Sequence, residues 1–136
     1  MAKVKVKVNS KQVTKEIRAA GERGLTAAGQ YVVSEAKTRA QVVTGGLRSS
    51  IGAEPVSDLS VTVLAATDYA IYVEFGTGIY AEGGGGRSTP WSYQDGRGNW
   101  VTTRGMRAQP FMLPAFMDNR SNIKRMIADH ISKAVR

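Results

Sequence analysis

The chain has 136 residues, no cysteine, a single histidine and a formal net charge of +8, with 42% apolar and 22% charged residues. That length supports one hydrophobic core and is short for two ordinary domains, so a single domain over 1–136 is expected. Disulfide scaffolds, thiolate metal sites and cysteine nucleophiles are excluded, and His130 alone does not furnish an imidazole-based metal site.

No stretch approaches the roughly 20 apolar residues of a membrane span, and the opening MAKVKVKV lacks the apolar core of a secretory signal. Neither a membrane partner nor export by that route is expected. The positive excess favours an anionic neighbour, nucleic acid being the commonest, and a solvated basic surface explains it equally well. The charge is uneven. Residues 1–40 hold Lys3, Lys5, Lys7, Lys11, Lys15, Arg18, Arg23, Lys37 and Arg39 against Glu16, Glu22 and Glu35, whereas residues 41–78 hold Arg48 against Glu54, Asp58, Asp68 and Glu74. Such polarity suits a protein that contacts unlike surfaces or copies of itself.

From Lys3 to Val8 lysine and valine alternate, the pattern of a half-buried strand whose lysines also discourage edge-to-edge association. Asn9 and Ser10 offer a helix N-cap. Val13, Ile17, Ala20, Ala28, Val32 and Ala36 then recur at helical spacing and predict one long helix to about Ala40. Gly21, Gly24 and Gly29 within it mark either close packing or a kink. In 42-VVTGGLRSSI-51, Thr44, Gly45 and Gly46 break the helix, and Leu47 to Ile51 resume an apolar pattern. Val61, Val63 and Ala65 alternate with Ser60, Thr62 and Leu64, and Tyr69 to Phe75 is rich in aromatic and β-branched residues, so two strands joined by a turn at Asp68 are predicted to pair antiparallel.

Residues 79–109 are rich in glycine, serine and arginine and far exceed the usual four to six residues or so of a connection. Within them WSY at Trp91–Tyr93 and NWVTT at Asn99–Thr103 flank the turn signal Asp95-Gly96, which predicts a hairpin with facing aromatics on a long arm. Pro114 sits at the first turn of a second helix, whose stripe runs through Phe116, Ile123, Ile127, Ile131 and Ala134. The expected fold class is α+β: a small antiparallel sheet packed with a long N-terminal helix and a C-terminal helix, plus the hairpin arm.

Tests for chemistry give little. The run 83-GGGGRSTPW-91 lacks the lysine and the glycine spacing of a phosphate loop and is better read as a hinge for the arm. His130 lies beside Asp129 with no nucleophile-elbow sequence in the chain. Asp68 and Glu74 are the carboxylates a metal-dependent nuclease would use, yet they stand isolated from other acids. Arg87, Arg97, Arg104 and Arg107 interleave with Trp91, Tyr93 and Trp100. That pattern suits stacking on single-stranded nucleic acid, and suits a protein interface better. No catalytic, cofactor-binding or metal-ligating residue is assigned.

TGGLRSSI at Thr44–Ile51, YAIYVEFGTG at Tyr69–Gly78, Pro90-Trp91 and TRGMRAQPFMLPAF at Thr103–Phe116 occur in an order that resembles the gene-product-ten-like family of tailed bacteriophages. The resemblance implies a non-enzymatic virion protein of the neck, described in that family as head–tail joining or tail completion. It would assemble in the host cytoplasm as a sixfold or twelvefold homo-oligomeric ring between the head-completion or connector proteins and the tail tube or tail terminator, in contact with packaged DNA without reading its sequence. The interface is then expected at the arm and its base, Phe75, Trp91, Tyr93, Trp100, Arg104 and Phe111, and Lys3, Lys5 and Lys7 are candidates for the lining of the DNA channel. The rival expectation is a nucleic-acid-binding protein that acts free through its basic surface.

Overall fold

The computed structural model describes residues 10–40 and 45–135. The alternating stretch Lys3–Val8, Asn9 of the expected cap and Thr44 of the expected break at Thr44–Gly46 lie outside them. The fold is α+β. Helix α1 (Ser10–Arg39) is followed by the short α2 (Gly46–Ser50), β1 (Ile51–Ala53), β2 (Val63–Ala65), α3 (Ala70–Phe75), β3 (Trp91–Gln94), β4 (Trp100–Thr103), α4 (Met112–Met117) and α5 (Arg120–Ala134).

α1 forms where the stripe predicts, and the stripe decides what it buries. Ala20, Ala28, Val32, Val33, Ala36 and Ala40 are all buried, and with Leu47, Ile51, Ala70, Phe111 and Ala115 most of them make the core. The first two turns differ, since Lys11 to Arg18 are exposed throughout, including Val13 and Ile17 of the same stripe. The glycines of α1 serve close packing. A β-carbon at Gly24 would stand 2.9 Å from Ile127 Cα, and one at Gly29 2.8 Å from Val61 Cγ2. Small residues at those turns let α5 and the β1–β2 connection lie directly against the α1 backbone.

α1 is also tied to the C-terminal helices by polar groups. The Tyr31 hydroxyl donates to Asn119 Oδ1 at 2.9 Å and accepts from Asn122 Nδ2 at 3.2 Å. Buried Asn119 donates to Ala115 O at 2.9 Å, which closes the corner between α4 and α5. Glu35 Oε2 accepts from Arg39 Nη1 at 2.6 Å, and Arg39 reaches on to Asp118 at 3.6 Å. The Arg39 hydrogen bond holds the Glu35 carboxyl below its ordinary value of 4.5.

The strands pair differently from the sequence expectation. β2 pairs antiparallel with β1, Ile51 opposite Ala65 and Ala53 opposite Val63, and the connection turns at Asp58 and Leu59, both with positive φ. The predicted partner strand, Tyr69 to Phe75, is instead helix α3. Its aromatic and β-branched composition favours a strand, but burial follows a helical period: Ala70 and Glu74 are buried and Val73 half-buried, while Ile71, Tyr72 and Phe75 face outward. Tertiary packing of Ala70 on the core outweighs the local preference.

Candidate functional site at the arm and its base

The arm leaves the body after α3 and returns before α4. Its outgoing and returning chains pair as a stem: Thr77 N–H donates to Met106 O at 2.9 Å, Ile79 N–H to Arg104 O at 3.1 Å and Gln109 N–H to Val73 O at 2.7 Å. The Thr77 hydroxyl accepts a further bond from Met106 N–H at 2.8 Å. The two chains approach so closely that only glycine fits at the crossing. Gly78 has φ +62° and a β-carbon there would collide with Arg104 O, while one at Gly105 would collide with Thr77 O. The four-glycine run divides. Gly83 to Gly85 have open space around them, whereas Gly86 packs against the Gly78 carbonyl. A hinge confined to the first three glycines is compatible with that geometry, and the fourth belongs to the stem.

Beyond the stem, β3 and β4 pair antiparallel with Trp91 opposite Thr103, Tyr93 opposite Val101 and Gln94 opposite Trp100. This register places Trp91 and Tyr93 on one face and Trp100 on the other, so the aromatics do not face one another as the sequence suggested. Ser92 and Thr102 join their hydroxyls across the opposite face at 2.8 Å. The tip spans Asp95 to Asn99. Asp95 Oδ1 accepts from the Arg97 and Asn99 N–H groups, both at 2.9 Å, and the residue with positive φ is Gly98 rather than Gly96. The Asn99 and then the Arg97 backbone bonds hold the Asp95 carboxyl below its ordinary value.

The expected site residues separate into groups. Trp91 is half-buried at the arm base, under the Arg87 guanidinium at 5.6 Å from the ring centroid, and Arg107 stacks similarly on Tyr80 at 4.7 Å. Trp100 is 73% exposed, and Tyr93, Phe75 and Arg104 are exposed. Phe111 lies in the core at 1% exposure, where it fixes the return of the arm from within. Lys3, Lys5 and Lys7 lie outside the described residues. Exposed Ile71, Tyr72 and Phe75 on α3 continue into Leu113, Phe116 and Met117 on α4, an apolar surface beside the arm of which sequence reasoning singled out Phe75 alone.

Glu74 is the residue whose role the sequence concealed. Its side chain is buried beneath α4, with Oε2 accepting from Phe111 N–H at 2.8 Å and Met112 N–H at 3.0 Å, and Oε1 from Leu113 N–H at 2.9 Å. Among the described residues these donors have no other acceptor, and the carboxylate lies at the positive end of the helix. Both oxygens are thereby engaged in holding the far side of the arm to the near side. The signal available in the sequence was an acid in an otherwise apolar stretch; its partners lie nearly forty positions on.

The family of Bacteriophage HK97-gp10 tail components has a model that matches residues 5–76, just over half of the chain. The match takes in α1, the β1–β2 pair and α3 and ends as the arm begins. No curated protein and no solved structure matches the chain.

Proposed function

Because this chain belongs to the HK97-gp10-like family of bacteriophage tail components, we propose that it acts in the virion neck as the tail-completion protein joining the head connector to the tail. In this reading it forms a sixfold or twelvefold ring around the channel that DNA passes through, and its role is structural rather than enzymatic. Among the described residues no helix is long and apolar enough to cross a membrane.

The observation that carries the reading is the arm. A hairpin held on a glycine-packed stem displays Trp100 at 73% exposure, with Tyr93 and Arg104 exposed nearby. Trp, Tyr and Arg are the residue types that dominate interface energetics once desolvated. The arm of one subunit docks on a neighbouring subunit or on the tail ring, and Lys3, Lys5 and Lys7 attract the phosphates of passing DNA without reading sequence.

Deleting the gene in its phage and viewing the lysate by electron microscopy tests the joining role. Filled heads and separate tails are expected, with tail length distinguishing completion from termination. Normal infectious particles would overturn the proposal and direct attention to salt-dependent DNA binding by the free protein.

A further inference from the structure

An apolar groove of about 520 Å3 runs between α1, α4, α5 and the β1–β2 pair, lined among others by Leu25, Val32, Val61, Val63, Phe116 and Ile127. Beside it lies a sheet edge with no backbone partner among the described residues. Glu54 N–H donates to Thr62 O and Ala66 N–H to Ser50 O, so the even-numbered residues of this strand face β1. In an antiparallel ladder the alternate residues turn their N–H and C=O the other way. Val63 and Ala65 therefore present theirs along the outer edge, where they have no backbone partner among the described residues. Two strands alone are marginal in water, and an open apolar edge invites a further strand.

The sequence contains a stretch of matching pattern in Lys3–Val8, with valines on one face and lysines on the other. Its own copy cannot place it there. Val61 packs at Gly29, nineteen positions after Ser10 and so about 28 Å along α1, and β2 lies farther on. Val4, six positions before Ser10, reaches about 20 Å from it even when fully extended straight back along the helix. The first turns of α1 stand clear of the body that holds the groove, with Val13 and Ile17 uncovered at 40% and 36%.

From this mismatch of reach we infer that, within the ring, Lys3–Val8 of one copy adds as a third strand to the outer edge of β2 in the neighbouring copy. Val4, Val6 and Val8 enter the groove beside Val61 and Val63. The lysines fall on the opposite face of the sheet, which carries exposed Glu54, since Glu54 alternates with core-facing Ala53. Strand addition of this kind supplies main-chain hydrogen bonds for affinity and alternate side-chain pockets for register. Because donor and acceptor are different surfaces, the contact can run head-to-tail from copy to copy and close as a ring, whereas reciprocal exchange would stop at a dimer. The inference rests on the ring reading above.

The test uses engineered cysteines, which the natural chain lacks. Phage particles are prepared carrying Thr62→Cys, on the exposed face of the edge, together with Lys3→Cys, Lys5→Cys or Lys7→Cys in turn. Neighbouring side chains on adjacent strands stand about 5 Å apart, so one of the three registers brings the thiols within disulfide range. Mild oxidation should give a ladder of covalent multimers on a non-reducing gel for that pair, and mixed single-cysteine proteins should give a covalent dimer. Particles that contain the ring but yield no ladder in any register would overturn the strand exchange alone, as would a disulfide closed within one chain. A single copy per particle by quantitative mass spectrometry would overturn the ring and the exchange together.

Discussion

Replacing Glu74 tests the central mechanical claim, that a single carboxylate fastens the returning limb of the arm to the body. Three backbone N–H groups converge on it at 2.8, 3.0 and 2.9 Å. A hydrogen bond to a charged group is worth about 1.5–3 kcal/mol, and the three are not additive because they share one desolvated carboxylate. Phe111 and its N–H are buried, whereas Met112 is half-buried and Leu113 exposed, so water can satisfy part of the loss in a truncated variant. Glu74→Ala should therefore cost about 3–5 kcal/mol, less than three such bonds counted separately. Glu74→Gln keeps one acceptor oxygen and sets an amide NH2 against the remaining donors, and should cost about 2–3 kcal/mol. Glu74→Asp withdraws the carboxylate by one methylene and should fall between wild type and alanine.

Urea unfolding followed by tryptophan fluorescence and by far-ultraviolet circular dichroism measures these differences, with the midpoint falling and the slope m unchanged. At this chain length each 1 kcal/mol should also lower Tm by about 3–6 °C. A loss below about 0.5 kcal/mol for Glu74→Ala, the level of an ordinary surface substitution, would mean that the carboxylate does not fasten the limb. A change in m without a change in midpoint would refute the fastening too, since it would move the effect to the unfolded chain.

Two glycines in α1 should respond in opposite directions. Gly21→Ala gains up to about 1 kcal/mol of helix propensity, because the new methyl meets Leu59 Cδ2 at an ordinary 3.6 Å. Gly24→Ala gains the same propensity but drives a methyl to 2.9 Å from the Ile127 backbone, and overpacking of about 1–3 kcal/mol should lower Tm overall. Thermal unfolding of the two variants checks the contrast. Trp100→Ala should leave Tm within about 2 °C of wild type yet weaken assembly about 30-fold, the loss of a 2 kcal/mol interface anchor, measured by ring formation or by joining in complementation. Trp91→Ala, at the arm base under Arg87, should lower Tm as well. Glu35, whose carboxyl is held below 4.5 by Arg39, contributes stability that is fully present above its unfolded value and is lost as pH falls through the folded one. Wild type and Glu35→Gln should accordingly differ at neutral pH and converge as the pH drops below about 4.5, in Tm measured across pH.

What the sequence made legible follows the physics of each signal. The long helix was readable because thirty residues average out single glycines, and Ala20 to Ala40 repeat a single face. The hairpin was readable because turn chemistry is local: Asp95 caps the tip with its own side chain. Strand pairing was not, because β2 finds its partner upstream in a three-residue strand too short to register as a pattern. The stretch from Ala70 to Phe75 was misread for a related reason. Six residues are fewer than two helical turns, so composition outweighed period, and the informative feature was Glu74 falling on the same side as Ala70.

Glu74 also joins two of the stretches that carry the resemblance of this chain. YVEFGTG and QPFMLPAF are separated by the whole arm, and the family match ends at residue 76, short of the second motif. The carboxylate of the first motif bonds the backbone of the second, and the stem glycines Gly78 and Gly105 admit the two chains at backbone contact. Those two devices fix the ends of the arm, and between them Gly86, the Arg87–Trp91 stack and the β3–β4 register shape its base and hairpin. Length and tip chemistry are then free to differ without disturbing the core. Arm and body can vary separately in this arrangement, because the residues that fix the arm's ends are not those at its tip. If that separation holds, trimming Gln94–Trp100 to a two-residue turn should leave the urea midpoint of the body unchanged and abolish joining. A body destabilised by the trim would place the arm in the fold itself rather than in its partner contact.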